Sequence, residues 1–216
     1  MSSIRDMHVW ANTTPWSLAR TALQSSARVF LWGPPGVGKS YLTASAERPT
    51  FSVTLCDDHT VQELVGHYVP EGPVFRWHDG PVATAMRQGA LLVLNEVSRA
   101  SSAVQDFLLG VLDSPEAGGV ALPSGEQLIA APGFAVVATS NCSPDALDPA
   151  MRSRFDVEIH LPLPNPELVT SLNLQIRGLG DALADSFKDP PRAIDPRRLL
   201  ALARFVKSGV PTRPLR

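Results

Sequence analysis

Only two cysteines occur in the 216 residues, Cys56 and Cys142, and their separation matches no metal-ligand spacing. A disulfide-built scaffold and a cysteine-ligated metal site are therefore not indicated, and two free thiols in a reducing cytoplasm are expected. Long apolar runs are missing as well. The longest are about five to six residues, far short of the ~18 that a membrane helix needs. The segment Met1 to Thr14 is polar and mixed, unlike a secretory leader. There is no basic stretch, and the net charge is −2, so no large positive field draws in nucleic acid or anionic lipid. Repeats and low-complexity segments are absent too. These absences predict a soluble cytoplasmic protein with no direct nucleic-acid partner and no membrane partner.

What is present is a chain that is 44% hydrophobic, enough for a sizeable core. Its length is about one and a half times the ~150 residues of a common domain, which suits one domain with a small appendage. Thr14-Pro15 is a helix-start pattern, and Trp16, Ala19 and Leu23 then fall on one helical face. The run "RVFLW" predicts a strand, stopped by "GPPGVGKS", after which "YLTASAE" continues as a helix. "FSVTLCDD" predicts a second strand and "TVQELVG" a helix. His67 to Pro81, rich in Gly, Pro and aromatics, reads as a loop or a hairpin. "VATAMRQG" is a short helix closed by Gly89.

"ALLVLNE" and "FAVVATSN" are continuous apolar runs of the kind buried on both faces of a parallel sheet. Between them, Val104, Leu108 and Val111 mark a helix over Ser101 to Leu112. A hairpin is expected about Pro123-Ser124-Gly125. "DPAMRSRF" reads as a short helix and "DVEIHLPLP" as a last strand. From Asn165 the pattern turns helical, with "ELVTSLNLQI" and "PRRLLALARFVKSG". Strands alternating with helices indicate a parallel α/β sheet covered on both sides.

The most specific string is Gly33-Pro34-Pro35-Gly36-Val37-Gly38-Lys39-Ser40, which fits G-x-x-x-x-G-K-[ST] at every fixed position. It lies between a predicted strand and a predicted helix, as that phosphate-binding loop requires. Its glycines let successive N–H groups face a phosphate, and the helix start adds partial positive charge. Lys39 can reach the β- and γ-phosphates, and the Ser40 hydroxyl can ligate Mg²⁺. The expected nucleotide-contacting set is this loop with Tyr41, the next residue along the helix.

Phosphate-loop enzymes bring a second buried strand, ending in an acidic residue, to the Mg²⁺ shell. Here "LLVLNE" carries Asn95 at the metal-facing position where a carboxylate is usual. Asn95 offers a neutral carbonyl oxygen, a weaker draw for the metal than Asp. Glu96, one residue on, can orient and deprotonate an attacking water. Catalysis is thus possible with reduced metal affinity, unless the two residues merely end the strand.

With both motifs placed, the chain resembles an AAA+ ATPase of the MoxR and dynein-related branch, which includes the CbbQ/NorQ activators. The likeness rests on ordered strings: "ELVGHYVPEG", "WHDGPVATAMRQGALLVLNEVSRA", "GVALPSGEQLIAAPGFAVVATSN" and "ALDPAMRSRFDVEIHLPLP". It runs from about Leu31 to Pro164 and more loosely through Arg197. It implies an α/β P-loop NTPase with a five-stranded parallel sheet sandwiched by helices and a β-hairpin insertion. Residues 1–164 would form the nucleotide-binding core and 165–216 a small helical lid, short or truncated.

Carried over, Asn141 resembles sensor 1, which helps hold the attacking water. Arg154 resembles the arginine finger that a neighbouring subunit supplies, with Arg152 as the alternative. Arg197 resembles sensor 2, with Arg198 next in line. His67 and Tyr68 stand where a pore-facing loop would be, or are simply packed. Arg99 lies either near a subunit interface or on plain surface. The resemblance further implies a ring, usually a hexamer, that hydrolyses ATP with Mg²⁺ and remodels or activates another protein, often one with a von Willebrand factor A domain. A nucleotide-dependent assembly switch with little hydrolysis is the alternative suggested by Asn95. A GTP-using subunit of a DNA-restriction complex and a small-molecule kinase rank below these. The former has no basic stretch behind it, and the latter leaves "MRSRF" unexplained.

Overall fold

The computed structural model of the chain describes residues 14–25, 28–113, 119–188, 198, 199 and 201. The elements run in order as α1 (Pro15–Gln24), β1 (Arg28–Trp32), α2 (Lys39–Ala44), β2 (Thr50–Thr54) and α3 (Val61–Val65). A hairpin of β3 (Gly66–Glu71) and β4 (Val74–Asp79) leads to α4 (Pro81–Gln88) and β5 (Leu91–Asn95). A 3-10 turn at Val97–Arg99, helix α5 (Ser102–Leu112) and a short hairpin of β6 (Val120–Ala121) and β7 (Gln127–Leu128) follow. The described chain continues through β8 (Ala135–Ser140), a 3-10 turn at Pro144–Ala146, α6 (Pro149–Arg152), β9 (Val157–His160), α7 (Pro166–Gln175) and α8 (Leu179–Ser186).

Local chemistry sets most of these boundaries. The Thr14 side chain accepts from the Ser17 N–H and caps α1, while Pro15 sits in the first turn, where its missing N–H costs nothing. Thr60 and Glu63 form a reciprocal capping box at α3. Gly89 ends α4 with φ 61°, a left-handed conformation in which a Cβ would meet the Pro132 carbonyl oxygen at 2.2 Å.

β1, β2, β5, β8 and β9 form one sheet in the order β2-β5-β8-β1-β9, and every pairing is parallel. Side-chain alternation along the strands builds two cores. Val29, Leu31, Leu91, Val93 and Val137 face α1, α2, α7 and α8, where Trp16, Leu42, Leu168, Leu172 and Leu183 pack. Phe30, Leu92, Leu94, Val136 and Ala138 face the opposite way, against Leu64, Val82, Met86, Leu108 and Leu122. Each fully buried leucine of this kind contributes about 1.5–3 kcal/mol. The central strand β8 is buried along its whole length, whereas the edge strand β2 alternates exposed and half-buried positions.

The five-stranded parallel sheet is the one anticipated, and the segment readable as loop or hairpin is a hairpin paired from Gly66↔Asp79 to Glu71↔Val74. A second hairpin stands at the expected Pro123–Gly125 turn. After Pro164, α7 and α8 pack on the same core as Val29 and Leu31. Asn165, 2% exposed, ties that segment to the phosphate loop: its N–H donates to the Val37 carbonyl at 2.7 Å, and its side chain caps α7. Arg197 lies outside the described residues, and Arg198 is exposed.

Candidate functional site

Because β1 lies between β8 and β9 while the chain goes next to the far edge at β2, connections diverge at the carboxyl ends of β1 and β8. Open parallel sheets place their ligand crevices outside such a divergence. A cleft of about 570 Å³ lies there, bordered by Gly36, Lys39, Ser40, Tyr41, Asn95, Glu96 and Asn141.

The loop after β1 owes its shape to three glycines in conformations that L side chains rarely adopt: Gly33 (φ 151°), Gly36 (φ 83°) and Gly38 (φ 105°). At Gly33 there is also no room, since a Cβ would stand 2.2 Å from the Leu161 carbonyl oxygen. Lys39, 6% exposed, begins α2 and folds back over the loop. Its ammonium donates to the Gly33 carbonyl at 2.7 Å, the Pro34 carbonyl at 3.0 Å and the Asn141 Oδ1 at 2.9 Å. Burial pushes its pKa down to about 8, partly countered by the Glu96 carboxylate.

Asn141, just past β8, joins Lys39 to the acid: its Nδ2 donates to Glu96 Oε1 at 2.8 Å. Glu96 is the one non-glycine residue with positive φ among the described residues, at φ 57° and ψ 41°. That turn carries the chain off the end of β5 and sets the carboxylate toward Asn141. Lys39, Asn141 and Glu96, from three segments of the chain, thus form one hydrogen-bonded row. Asn95 is held on both sides, with its Nδ2 donating to Ser52 Oγ at 2.9 Å and its Oδ1 accepting from Thr139 Oγ1 at 3.2 Å.

The remaining expected residues divide clearly. Pro35, Ser40, Tyr41 and Arg99 border the cleft. Gly33 and Pro34 shape the loop and hold Lys39, and Val37 is fully buried in the core. Arg154 does not border the cleft of its own chain; it donates to Asp113 Oδ1 at 2.6 Å and to the Ala150 carbonyl at 2.8 Å. Arg152 is engaged with Asp145 and Glu158. Tyr68 is half exposed and meets Trp77 edge-on, and His67 is exposed on the β3–β4 hairpin. Thr139, Ser52 and Asn165 were not foreseen. Thr139 could have been found one residue before a strand end that already ran to Ser140-Asn141, and Asn165-Pro166 is a helix-start pattern that does not disclose the tie to Val37, but Ser52 carries no local signal.

The donor set suits a nucleotide polyphosphate with a hard cation. The Ser40 hydroxyl, the Asn95 carbonyl and the Glu96 carboxylate are all oxygen donors, and Mg²⁺ is ordinarily held by one or two carboxylates together with phosphate oxygens. Among the described residues no group of three His, Cys, Asp or Glu could hold a metal ion, so a cation here would depend on the phosphates.

Comparison with known proteins agrees. The AAA domain of the dynein-related subfamily matches residues 28–155. Protein NorQ of Paracoccus denitrificans is 35% identical over 149 residues, which cover 64% of this chain and 53% of NorQ. The denitrification regulatory protein NirQ of Stutzerimonas stutzeri is 28% identical over 216 residues, covering 91% of this chain and 78% of NirQ. The crystal structure of NtrX from Brucella abortus in complex with ADP aligns with a TM-score of 0.56 at 17% identity, over 84% of this chain and 42% of NtrX. At that identity the likeness is one of fold. The chain spans about half the length of NorQ.

Proposed function

The chain belongs to the dynein-related AAA domain family, and from that premise we propose that it binds ATP with Mg²⁺ in the cleft, hydrolyses it, and works as a ring that remodels or activates a partner protein. The row Lys39–Asn141–Glu96 carries this reading. It puts a cation, a neutral amide and a carboxylate along one wall of the cleft.

In the reaction, a water oxygen bonds to the γ-phosphorus as the bond to the ADP oxygen breaks. Lys39 and the loop amides stabilise the charge on the phosphate oxygens. Asn141 holds the Glu96 carboxylate in place to take the proton of that water. Ser40 and Asn95 would hold Mg²⁺, which would add to the neutralisation of the phosphate oxygens. Arg154, which does not border its own cleft, is the finger supplied to a neighbour; it holds one carboxylate, Asp113, whereas the two on Arg152 make that residue the poorer candidate. Arg197, outside the described residues, would report the γ-phosphate to a lid that follows the core.

A hexamer and a partner bearing a von Willebrand factor A domain are what the resemblance favours, and the name of NirQ supports a regulatory task. Among the described residues no helix is long and apolar enough to cross a membrane, and both cysteines are free, in keeping with a cytoplasmic place of work. One observation favours a second reading, a nucleotide-dependent assembly switch with little hydrolysis. Asn95 is neutral, and both ends of its amide are engaged by Ser52 and Thr139.

The test is phosphate release at rising protein concentration in Mg²⁺, for the native chain and for Glu96→Gln. Turnover per chain is expected to climb steeply with concentration, and Glu96→Gln to be slower by about 10²–10⁴ while still binding ATP. A native chain as slow as Glu96→Gln would leave the switch reading standing. A Glu96→Gln protein as fast as the native one would remove Glu96 as the base.

A further inference from the structure

The cleft holds one more cation than the reaction above uses. The turn Val97–Arg99 starts from the left-handed Glu96, and the Arg99 N–H donates back to the Glu96 carbonyl at 2.8 Å. This tight return brings Arg99 to the border of the same cleft as Lys39, Ser40 and Glu96. Arg87, Arg152 and Arg154 are each occupied by carboxylates. The exposed guanidinium of Arg99, by contrast, has no hydrogen-bond or ion-pair partner among the described residues.

The charges along the cleft give that free guanidinium a purpose. Its ionisable side chains, apart from the Tyr41 phenol, are Lys39, Glu96 and Arg99. Lys39 and Glu96 are joined through Asn141 and offset each other. Asn95 adds no charge where a carboxylate would cancel the remaining cation. An aspartate there would leave cations and anions equal in number, and a polyphosphate would then need a divalent cation to be accepted. With asparagine, a positive charge is left over, and it belongs to the residue whose donors are free.

Resting on the nucleotide reading of this cleft, we infer that Arg99 is a phosphate-binding residue within its own chain, and that with the neutral Asn95 it allows a nucleoside polyphosphate to bind without a divalent cation. An arginine fork facing phosphate oxygens is among the stronger charge-assisted contacts. Its worth is greatest when no metal shares the same oxygens.

The experiment is calorimetric titration of ATP into the full chain in excess EDTA and in excess Mg²⁺. In EDTA the native chain is expected to lose less than about tenfold in affinity, and Arg99→Gln to lose about tenfold more, the size of one charge-assisted contact. In Mg²⁺ the Arg99→Gln deficit shrinks to about threefold or less, because the metal shares the same phosphate oxygens. Arg99→Lys recovers most of the EDTA affinity. Asn95→Asp reproduces the loss in EDTA and regains affinity with Mg²⁺. Equal EDTA affinities for the native chain and Arg99→Gln overturn the inference, as does a fall of more than about a hundredfold for the native chain on removing Mg²⁺. Lys39→Ala separates the two levels. Binding that Lys39→Ala weakens but Arg99→Gln does not removes only the role of Arg99. Binding indifferent to Lys39→Ala means ATP is not in this cleft, and the nucleotide reading falls together with the inference.

Discussion

Two cations sit at opposite ends of the same three strands, β1, β5 and β8, and each is fastened to backbone carbonyl oxygens. At the amino ends, Arg48 donates to the carbonyls of Ser25, Gly89 and Gly133, just ahead of those strands. At the carboxyl ends, Lys39 donates to the carbonyls of Gly33 and Pro34 and to the Asn141 side chain. The fastening is alike, but the chemistry differs. Arginine is a fixed cation whose fork bridges several acceptors at once, which suits a permanent clasp. Lysine carries a charge that burial can tune, and here burial has brought it to about 8. A side-chain acceptor, Asn141, also links Lys39 onward to a carboxylate, whereas the partners of Arg48 are all main chain. One cation therefore only clasps main chain, and the other is joined to the side-chain row that borders the cleft.

That contrast breaks if the two cations prove interchangeable in effect. Arg48→Ala should cost about 2 kcal/mol of stability, the order of hydrogen bonds made by a charged group. Urea unfolding would read this, and ATP affinity should stay unchanged. A loss of ATP affinity without loss of stability would assign Arg48 to the ligand and erase the division between the two ends.

A smaller effect, and one with two signs, follows from the proton on Lys39. In the unfolded chain the lysine keeps its proton to about 10.5, and in the fold to about 8. Between those values the unfolded chain binds more protons, so this group's contribution to stability rises with pH through that window. ATP affinity runs the other way. Below pH 8 the ammonium is present for the phosphates; above it, affinity should fall by up to about tenfold per pH unit as a proton must be taken up on binding. Titrations at pH 7 to 9.5 in buffers of different ionisation heat would register that proton. No uptake, with affinity level across the range, would mean the Lys39 charge does not meet the ligand.

How much of this was readable beforehand depends on the distance along the chain over which each feature is decided. The phosphate loop, the end of β5 at Asn95-Glu96 and the end of β8 at Asn141 are local strings, and they mark three of the carboxyl ends that border the cleft. The helix α1 was equally open, since Thr14, Pro15 and the Trp16–Ala19–Leu23 face are all within one short window. The hairpin β3–β4 stayed ambiguous because its Gly and Pro residues suit a loop, and only pairing across six positions shows it to be a ribbon. The positive φ of Glu96 has no signature in residue type, because glutamate rarely adopts it. The row Lys39–Asn141–Glu96 and the hold of Ser52 and Thr139 on Asn95 join residues more than forty positions apart, so they arise from the sheet order β2-β5-β8-β1 alone. The role of Arg48 was hidden for the same reason, since nothing near it in the chain names Ser25, Gly89 and Gly133.

The decisive measurement is a calorimetric titration of ATP into the native chain and into Lys39→Ala at pH 7 with Mg²⁺, with thermal unfolding of both. The account predicts saturable binding to the native chain, none to Lys39→Ala, and a variant that remains folded. Equal affinity for the two proteins would contradict it, since the carboxyl end of the sheet would then be no more a ligand site than the amino end.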